Sequence, residues 1–90
     1  MFFVYVLYGI NSNKFYIGYT ENLQQRVDTH LKYGNHTTKR LGDLELVYYE
    51  ACISEKDARK RELQLKTGFG RSYLRNRVKN YLESLKINKE

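Results

Sequence analysis

The amino-acid sequence predicts a small α+β fold in which a three-stranded antiparallel sheet is flanked by helices. Two aromatic and β-branched segments are separated by a short polar turn, a third such segment lies in mid-chain, and helical patterns occupy the rest. The 90 residues should form one domain, residues 1–90 with a core over about residues 1–82, because a division would leave each half below ~50 residues. The expected order of elements is β-β-α-β-α-α.

The first two strands are predicted as a hairpin. Residues 2–8 and 15–19 are rich in aromatic and β-branched side chains, and the GINSNK segment between them, Gly9 to Lys14, supplies turn chemistry. A loop of about six residues makes the two strands antiparallel neighbours. Gly18 lies inside the second strand, where a residue without a side chain commonly marks a bulge or the close approach of another group.

The first helix follows this hairpin. Thr20 is a good N-cap residue, and it predicts a helix from about Asn22 to Tyr33 that ends near Gly34. Residues 34–43 form a polar, basic segment and are expected to be a loop.

The second half of the chain predicts one strand and two helices. Residues 45–51 continue the β pattern. Ser54 begins an S-x-x-D capping box that opens a helix to about Thr67, and a glycine-rich break follows. Ser72 then can cap a last helix over about residues 73–86.

The charge balance favours nucleic acid as the partner. Sixteen Lys and Arg residues against ten Asp and Glu give a formal net charge of +6, in a chain with nine tyrosines. Basic side chains displace counterions from phosphates, and tyrosine rings offer stacking surfaces. A soluble domain that is merely basic is the alternative that charge alone leaves open.

The composition excludes several other classes. The longest apolar run, residues 2–8, is far shorter than the ~20 residues that span a bilayer. The single cysteine, Cys52, precludes an intrachain disulfide and, with only two histidines, a structural zinc site built from Cys and His. These features predict a cytoplasmic protein without a membrane partner.

Glu62 is a carboxylate on the apolar stripe of the second predicted helix. With about 100° between successive residues, it lies within roughly 60° of Leu65 and Phe69 around the axis. An unpaired charge beside the core is costly, so Glu62 needs compensation. Either an ion pair with Arg59 or Arg61 or a bound cation would provide it.

Other polar side chains have two interpretations. Arg26 and His30 are four residues apart on the first helix. They are either solvated surface side chains or a guanidinium and an imidazole that together contact a phosphate. Tyr5, Tyr16 and Tyr19 place three phenols on the hairpin, where packing with the hydroxyl at the rim is the ordinary explanation for each.

Taken in order, these residues resemble the GIY-YIG nuclease domain. The resemblance rests on Tyr5 in a VYV segment, the Tyr16-Ile17-Gly18 tripeptide, Asn22 and Arg26 on the following helix, and Glu62 on a later one. It covers essentially the whole chain and is closest to small stand-alone bacterial members, which are related to the N-terminal module of an excision-repair nuclease. The chain departs from the signature in the first motif, where GIY is replaced by Phe3-Val4-Tyr5.

The resemblance implies phosphodiester hydrolysis with a single divalent ion, Mg²⁺ or Mn²⁺, held by Glu62. It also implies Tyr5 as the general base or water-positioning group, with His30 as the alternative base. Arg26 would bind the scissile phosphate, and Tyr16 would position water or a phosphate oxygen.

The expected partner is DNA, and three functions remain open at this point. They are a metal-dependent endonuclease acting on branched, damaged or distorted DNA, a non-catalytic nucleic-acid-binding module, and a subunit active only with a partner protein that supplies specificity. The expected state is a monomer or weak homodimer. Further predicted nucleic-acid contacts are Tyr19, Lys32, Lys39, Arg40, Lys66, Arg71 and Arg75.

Overall fold

A computed structural model describes the backbone of residues 1–32 and 44–89 and the side chains of residues 1–29 and 44–85. These residues form three strands and four helices. The strands are β1 (Phe2–Gly9), β2 (Lys14–Thr20) and β3 (Leu44–Cys52), and the helices are α1 (Leu23–Lys32), α2 (Glu55–Leu65), α3 (Gly68–Arg77) and α4 (Lys79–Lys89). The predicted α+β class, with a three-stranded antiparallel sheet flanked by helices, is confirmed.

The central strand of the sheet is β1. The strand order is β2-β1-β3, and both neighbours run antiparallel to β1. The turn of the β1–β2 hairpin is shorter than predicted, because pairing continues to Gly9 and Lys14 and leaves residues 10–13 between the strands. Asn13 closes the turn by donating its N–H to the Gly9 carbonyl at 2.8 Å, with a φ of 59° that Asn tolerates better than most residues.

Both faces of β1 are buried, and one of them packs against α2 and α3. Val4 and Val6 belong to a buried cluster shared with α2 and α3, completed by Ile17, Ala58, Leu65 and Leu74. By strand alternation, Tyr5 and Leu7 point to the opposite face. Both of these side chains are buried as well, so the sheet is covered on each side of its central strand.

The cap of α1 differs from the prediction. Asn22, not Thr20, accepts the capping bond, from the N–H of Gln25 to Oδ1 at 3.1 Å. Thr20 accepts a bond from the N–H of Asn22 instead. Both residue types are good caps, so position along the folded chain decided between them. The predicted helix end at Tyr33 and the predicted loop over residues 34–43 lie outside the described residues.

Three corrections concern the helices after β3. Ser54 stands at the N-cap of α2, but within the described part of the chain its side chain makes no capping bond. Ser72 lies inside α3, and Thr67 caps that helix by accepting the Gly70 N–H at 3.0 Å. Phe69 therefore lies in the first turn of α3 rather than on the stripe of α2, and it is 92% exposed.

The helix predicted over residues 73–86 is divided at Val78. Its backbone leaves the helical region, with φ −111° and ψ 21°, while its side chain is buried. In the described residues no helix is both long enough and apolar enough to cross a membrane.

Candidate active site

The Tyr5 hydroxyl is at the centre of the candidate site. Tyr5 is 1% exposed and is the register partner of Gly18 on β2. A Cβ atom at Gly18 would overlap Oη and Cζ of Tyr5 and would lie 2.8 Å from Cε1. The ring therefore occupies the space that a side chain at Gly18 would need. Of the two alternatives that the sequence left open for Gly18, a bulge or a close approach, this is the close approach.

Arg26 reaches Tyr5 from α1. Its Nε donates to the phenol oxygen at 3.3 Å. The Arg26 N–H donates to the Asn22 carbonyl at 3.1 Å, so the residue is held in the capped first turn of the helix. The next residue, Val27, is buried, whereas Arg26 itself is exposed. The backbone of Arg26 is thus fixed in the helix, and its side chain remains exposed to solvent.

Tyr16 and Glu62 complete the group. Tyr16 pairs with Leu7, which makes it a diagonal neighbour of Tyr5 on the same face of the hairpin. Its phenol interacts electrostatically with both Tyr5 and Arg26, and the Glu62 carboxylate interacts electrostatically with Tyr5. Three elements, β2, α1 and α2, therefore bring a second phenol, a guanidinium and a carboxylate within electrostatic reach of the Tyr5 phenol on β1.

The protonation state of the site follows from these neighbours. Burial raises the pKa of Tyr5 above its ordinary value, and the nearby Tyr16 and Glu62 raise it further. The hydrogen bond and charge of Arg26 lower that pKa without reversing the shift. Tyr5 is consequently a neutral phenol at neutral pH. Its hydrogen bond in turn raises the pKa of Arg26, which stays a cation.

Lys66 is the ion-pair partner of Glu62, not either of the predicted arginines. Lys66 Nζ lies 3.0 Å from Glu62 Oε2, one helical turn further on. Arg61 is bonded to β3, and the Arg59 guanidinium lies 3.9 Å from the centre of the Tyr19 ring. The Lys66 side chain is 47% exposed and that of Glu62 16%, so the pair is partly solvated and contributes about 0.5 kcal/mol.

Arg59 lies near the site in a way that the sequence did not predict. The sequence suggests it only as a partner for Glu62, yet it covers Tyr19, which is also stacked on Phe2 with ring centres 6.4 Å apart. The Arg59 side chain remains 58% exposed. Its position three residues before Glu62 on the same helix is the signal that could have placed it near the site.

The other predicted nucleic-acid contacts have different surroundings. Arg71 is exposed. Arg75 donates Nη2 to the Asn13 carbonyl at 3.3 Å and lies 5.1 Å from the centre of the Phe15 ring, so it also anchors the hairpin turn. The remaining predicted residues lie outside the described side chains: His30, Lys32, Lys39 and Arg40.

The donor set at the site can be compared with the needs of a metal ion. Among the described residues, no three His, Cys, Asp or Glu side chains cluster as a metal-binding group. A single carboxylate such as Glu62 does not suit structural zinc, which takes four protein ligands. It does suit Mg²⁺, which keeps several waters and is often bound through one or two carboxylates together with a substrate phosphate.

Comparison with known proteins settles the family. Residues 1–76 match the family model described as the GIY-YIG catalytic domain. The chain belongs to the GIY-YIG family. A UPF0213 protein of Bacillus pumilus is 33% identical over 76 residues, which cover 83% of this chain and 72% of the relative. A UPF0213 protein of Staphylococcus haemolyticus is 36% identical over 66 residues, covering 72% of this chain and 79% of the relative. No solved structure matches the chain.

The two name-giving motifs of the GIY-YIG family are adjacent in this fold. The first corresponds to Phe3-Val4-Tyr5 on β1, and the second is Tyr16-Ile17-Gly18 on β2. Register pairs the last residue of one motif, Tyr5, with the last residue of the other, Gly18. Because Gly18 has no side chain, the second motif leaves room for the Tyr5 ring of the first.

Proposed function

We propose that this GIY-YIG protein is an endonuclease that hydrolyses phosphodiester bonds in DNA with one divalent cation, Mg²⁺ or Mn²⁺. The observation that carries the proposal is the convergence of Tyr5, Tyr16, Arg26 and Glu62 from four elements. A carboxylate repels phosphate, so a domain that only binds nucleic acid gains nothing from Glu62 at this point. The net charge of +6 supports a polyanionic substrate.

Glu62 is the residue we assign to the cation. Its contact with Lys66 shows that the carboxylate accommodates a positive charge at Oε2, and a partly solvated pair of this kind is weak enough to be displaced. When bound, the cation supplies positive charge against the negative charge that develops on the phosphate.

Arg26 is the residue we assign to the scissile phosphate. Its Nε is engaged by Tyr5, which aims the guanidinium, and its two Nη groups are the donors for phosphate oxygens. A lysine could not both hold Tyr5 and present a fork of donors, because an ammonium is a point charge.

The attacking water needs a positioning group and a proton acceptor. A phenol with a raised pKa is a poor acceptor at neutral pH, so we assign Tyr5 to positioning the water. We assign the acceptor role to His30, since an imidazole ordinarily titrates near pH ~6.5. Tyr16 then orients a phosphate oxygen or the same water.

The test is a nicking assay with wild type and Glu62→Gln. Supercoiled plasmid and branched DNA are incubated with each protein in Mg²⁺ or Mn²⁺ and in EDTA. Wild type should nick only with metal, and Glu62→Gln should not nick although its DNA affinity stays within about twofold, since DNA binding comes from the basic side chains. Glu83→Gln removes an exposed carboxylate from α4 and is the matched control, expected to behave as wild type. Equal nicking by wild type and Glu62→Gln, or nicking that survives EDTA, contradicts the proposal.

One observation favours a second function. Lys66 compensates Glu62 within the chain itself, so the carboxylate does not depend on a metal for its partner. This arrangement suits a non-catalytic nucleic-acid-binding module, or a subunit whose activity needs a partner protein. In either case wild type and Glu62→Gln would bind branched DNA alike, and neither would nick it alone.

A further inference from the structure

Arg61, the residue immediately before Glu62, is tied to the far edge of the sheet. Its Nε donates to Glu50 Oε1 at 3.0 Å and its Nη2 donates to Oε2 at 2.9 Å, which makes a bidentate pair with β3. The Tyr48 hydroxyl donates to Glu50 Oε2 at 2.7 Å, and the guanidinium lies 4.9 Å from the centre of the Tyr73 ring. Both oxygens of Glu50 are therefore engaged within the protein.

This network keeps its charges at neutral pH. Burial alone would raise the pKa of Glu50, but the bonds from Arg61 and Tyr48 outweigh it and hold the pKa below the ordinary value. The side chains of Arg61 and Glu50 are 30% and 24% exposed, so the pair is shielded on most of its surface. A bidentate arginine–carboxylate pair in such surroundings fixes direction as well as distance.

The roll of α2 about its axis is set from three sides. Ala58 and Leu65 are buried in the core. Arg59 lies over Tyr19 of β2, and Arg61 is bonded to β3, the opposite edge of the sheet. At about 100° per residue, Arg59 and Arg61 are about 200° apart, and Glu62 emerges on the Arg59 flank.

Small rolls of this helix have large consequences for Glu62. A carboxylate about 6 Å from the helix axis moves by about 1 Å when the helix rolls by about 10°. A misplacement of that size can cost on the order of 10²-fold in rate at a site built from fixed groups. The Arg61–Glu50 pair, which limits the roll of α2, therefore also limits the movement of the Glu62 carboxylate.

We propose that the Arg61–Glu50 pair holds Glu62 in the site and that Arg61 and Glu50 are positioning residues of the nuclease. They act through α2 and touch neither the phosphate nor the cation. The kinetic part of this inference rests on the proposed function, whereas the placement of Glu62 does not.

The test combines kinetics with a measurement that needs no activity. Arg61→Met keeps most of the side-chain volume and removes the pair, and Arg61→Lys restores the charge without the bidentate geometry. For metal-dependent nicking, Arg61→Met should lower kcat by about 10- to 100-fold with KM within about twofold, and Arg61→Lys should recover part of the loss. The activity-free measurement is the ¹³Cζ chemical shift of Tyr5, which we expect to change with the charge of the nearby Glu62 and which is calibrated with Glu62→Gln. Arg61→Met should reproduce a substantial part of the Glu62→Gln change.

Leu82→Ala is the control for general destabilisation. Leu82 is buried on α4 in a cluster with Tyr8 and Val78 that contains no residue of α2. Tyr48 borders this cluster, but the variant removes no atom of the Arg61–Glu50–Tyr48 network while it lowers stability. At a temperature below its unfolding transition, Leu82→Ala should have the kcat and the Tyr5 ¹³Cζ chemical shift of the wild type. The proposal is overturned if Arg61→Met keeps both kcat and the Tyr5 shift, or if Leu82→Ala loses them equally. If wild type does not nick, the proposed function fails, and the Tyr5 shift in Arg61→Met alone decides the placement of Glu62.

Discussion

Gly18→Ala is the perturbation whose effect the structure specifies most closely. The new Cβ would overlap Tyr5 Oη and Cζ and lie 2.8 Å from Cε1, whereas carbon atoms in contact are about 3.5–4.0 Å apart. The ring would have to retreat by about 1 Å, and at 1% exposure it has packed neighbours on every side. We expect a loss of about 1–3 kcal/mol in the free energy of unfolding, as for other overpacked cores.

The same retreat would disturb the candidate site. The bond from Arg26 Nε to Tyr5 Oη is already 3.3 Å long, so a shift of about 1 Å breaks it. If the proposed function is right, nicking should fall by on the order of 10²-fold, because the water-positioning group has moved.

Urea denaturation and nicking kinetics measure both effects, with two controls. Gly68→Ala adds a methyl group where no atom lies within 4 Å, at the start of α3, and should change stability by less than about 1 kcal/mol, towards greater stability. In a Tyr5→Leu background, Gly18→Ala should cost much less, since the atoms it meets are gone. Additive costs for the two substitutions, or a Gly18→Ala protein as stable as wild type, would refute the close packing of Tyr5 on Gly18.

Three further predictions concern a helix cap, the partly buried carboxylate of Glu50 and the arginine that we assign to the phosphate. Thr67→Ala should lower the free energy of unfolding by about 1 kcal/mol because it removes a capping bond, whereas Ser54→Ala should cost less than about 0.5 kcal/mol; urea denaturation of both compares them. Because the pKa of Glu50 is lowered in the folded protein, the ionised carboxylate stabilises the fold at neutral pH, and this contribution is lost as the pH falls through the folded-state pKa. Between about pH 7 and pH 3, the free energy of unfolding should therefore fall more for wild type than for Glu50→Gln, which urea denaturation at each pH measures. Arg26→Lys should slow single-turnover nicking by on the order of 10²–10³-fold while DNA affinity, measured by gel shift, changes far less; equal losses would indicate a purely electrostatic role.

The strands and the family could be predicted from the sequence because their signals are local. Alternation of aromatic and β-branched residues around a polar turn specifies a hairpin, and register within a hairpin follows from its turn. The motif residues Tyr5, Tyr16 and Gly18 lie on that hairpin, so their proximity is implied once the hairpin is recognised. Arg26 follows closely on the next helix, where only the roll of α1 has to be known in addition.

The choice among competing partners was decided by the tertiary structure. Asn22 and Thr20 are both good caps, and the path of the chain after β2 selects Asn22. Glu62 has four cationic side chains within four residues along the chain. It pairs with Lys66, whereas Arg59 lies over Tyr19 of β2 and Arg61 is bonded to β3.

The sequence by itself determined the strand pattern, the α+β class and the membership in the GIY-YIG family, since these depend on residue types at fixed spacings. Only the tertiary structure decided where α2 ends, that Phe69 faces solvent and that Glu50 of β3 holds the residue next to Glu62. These features depend on which of several similar groups approach one another across elements distant in the chain. The packing of the whole fold determines that approach, and no local pattern encodes it.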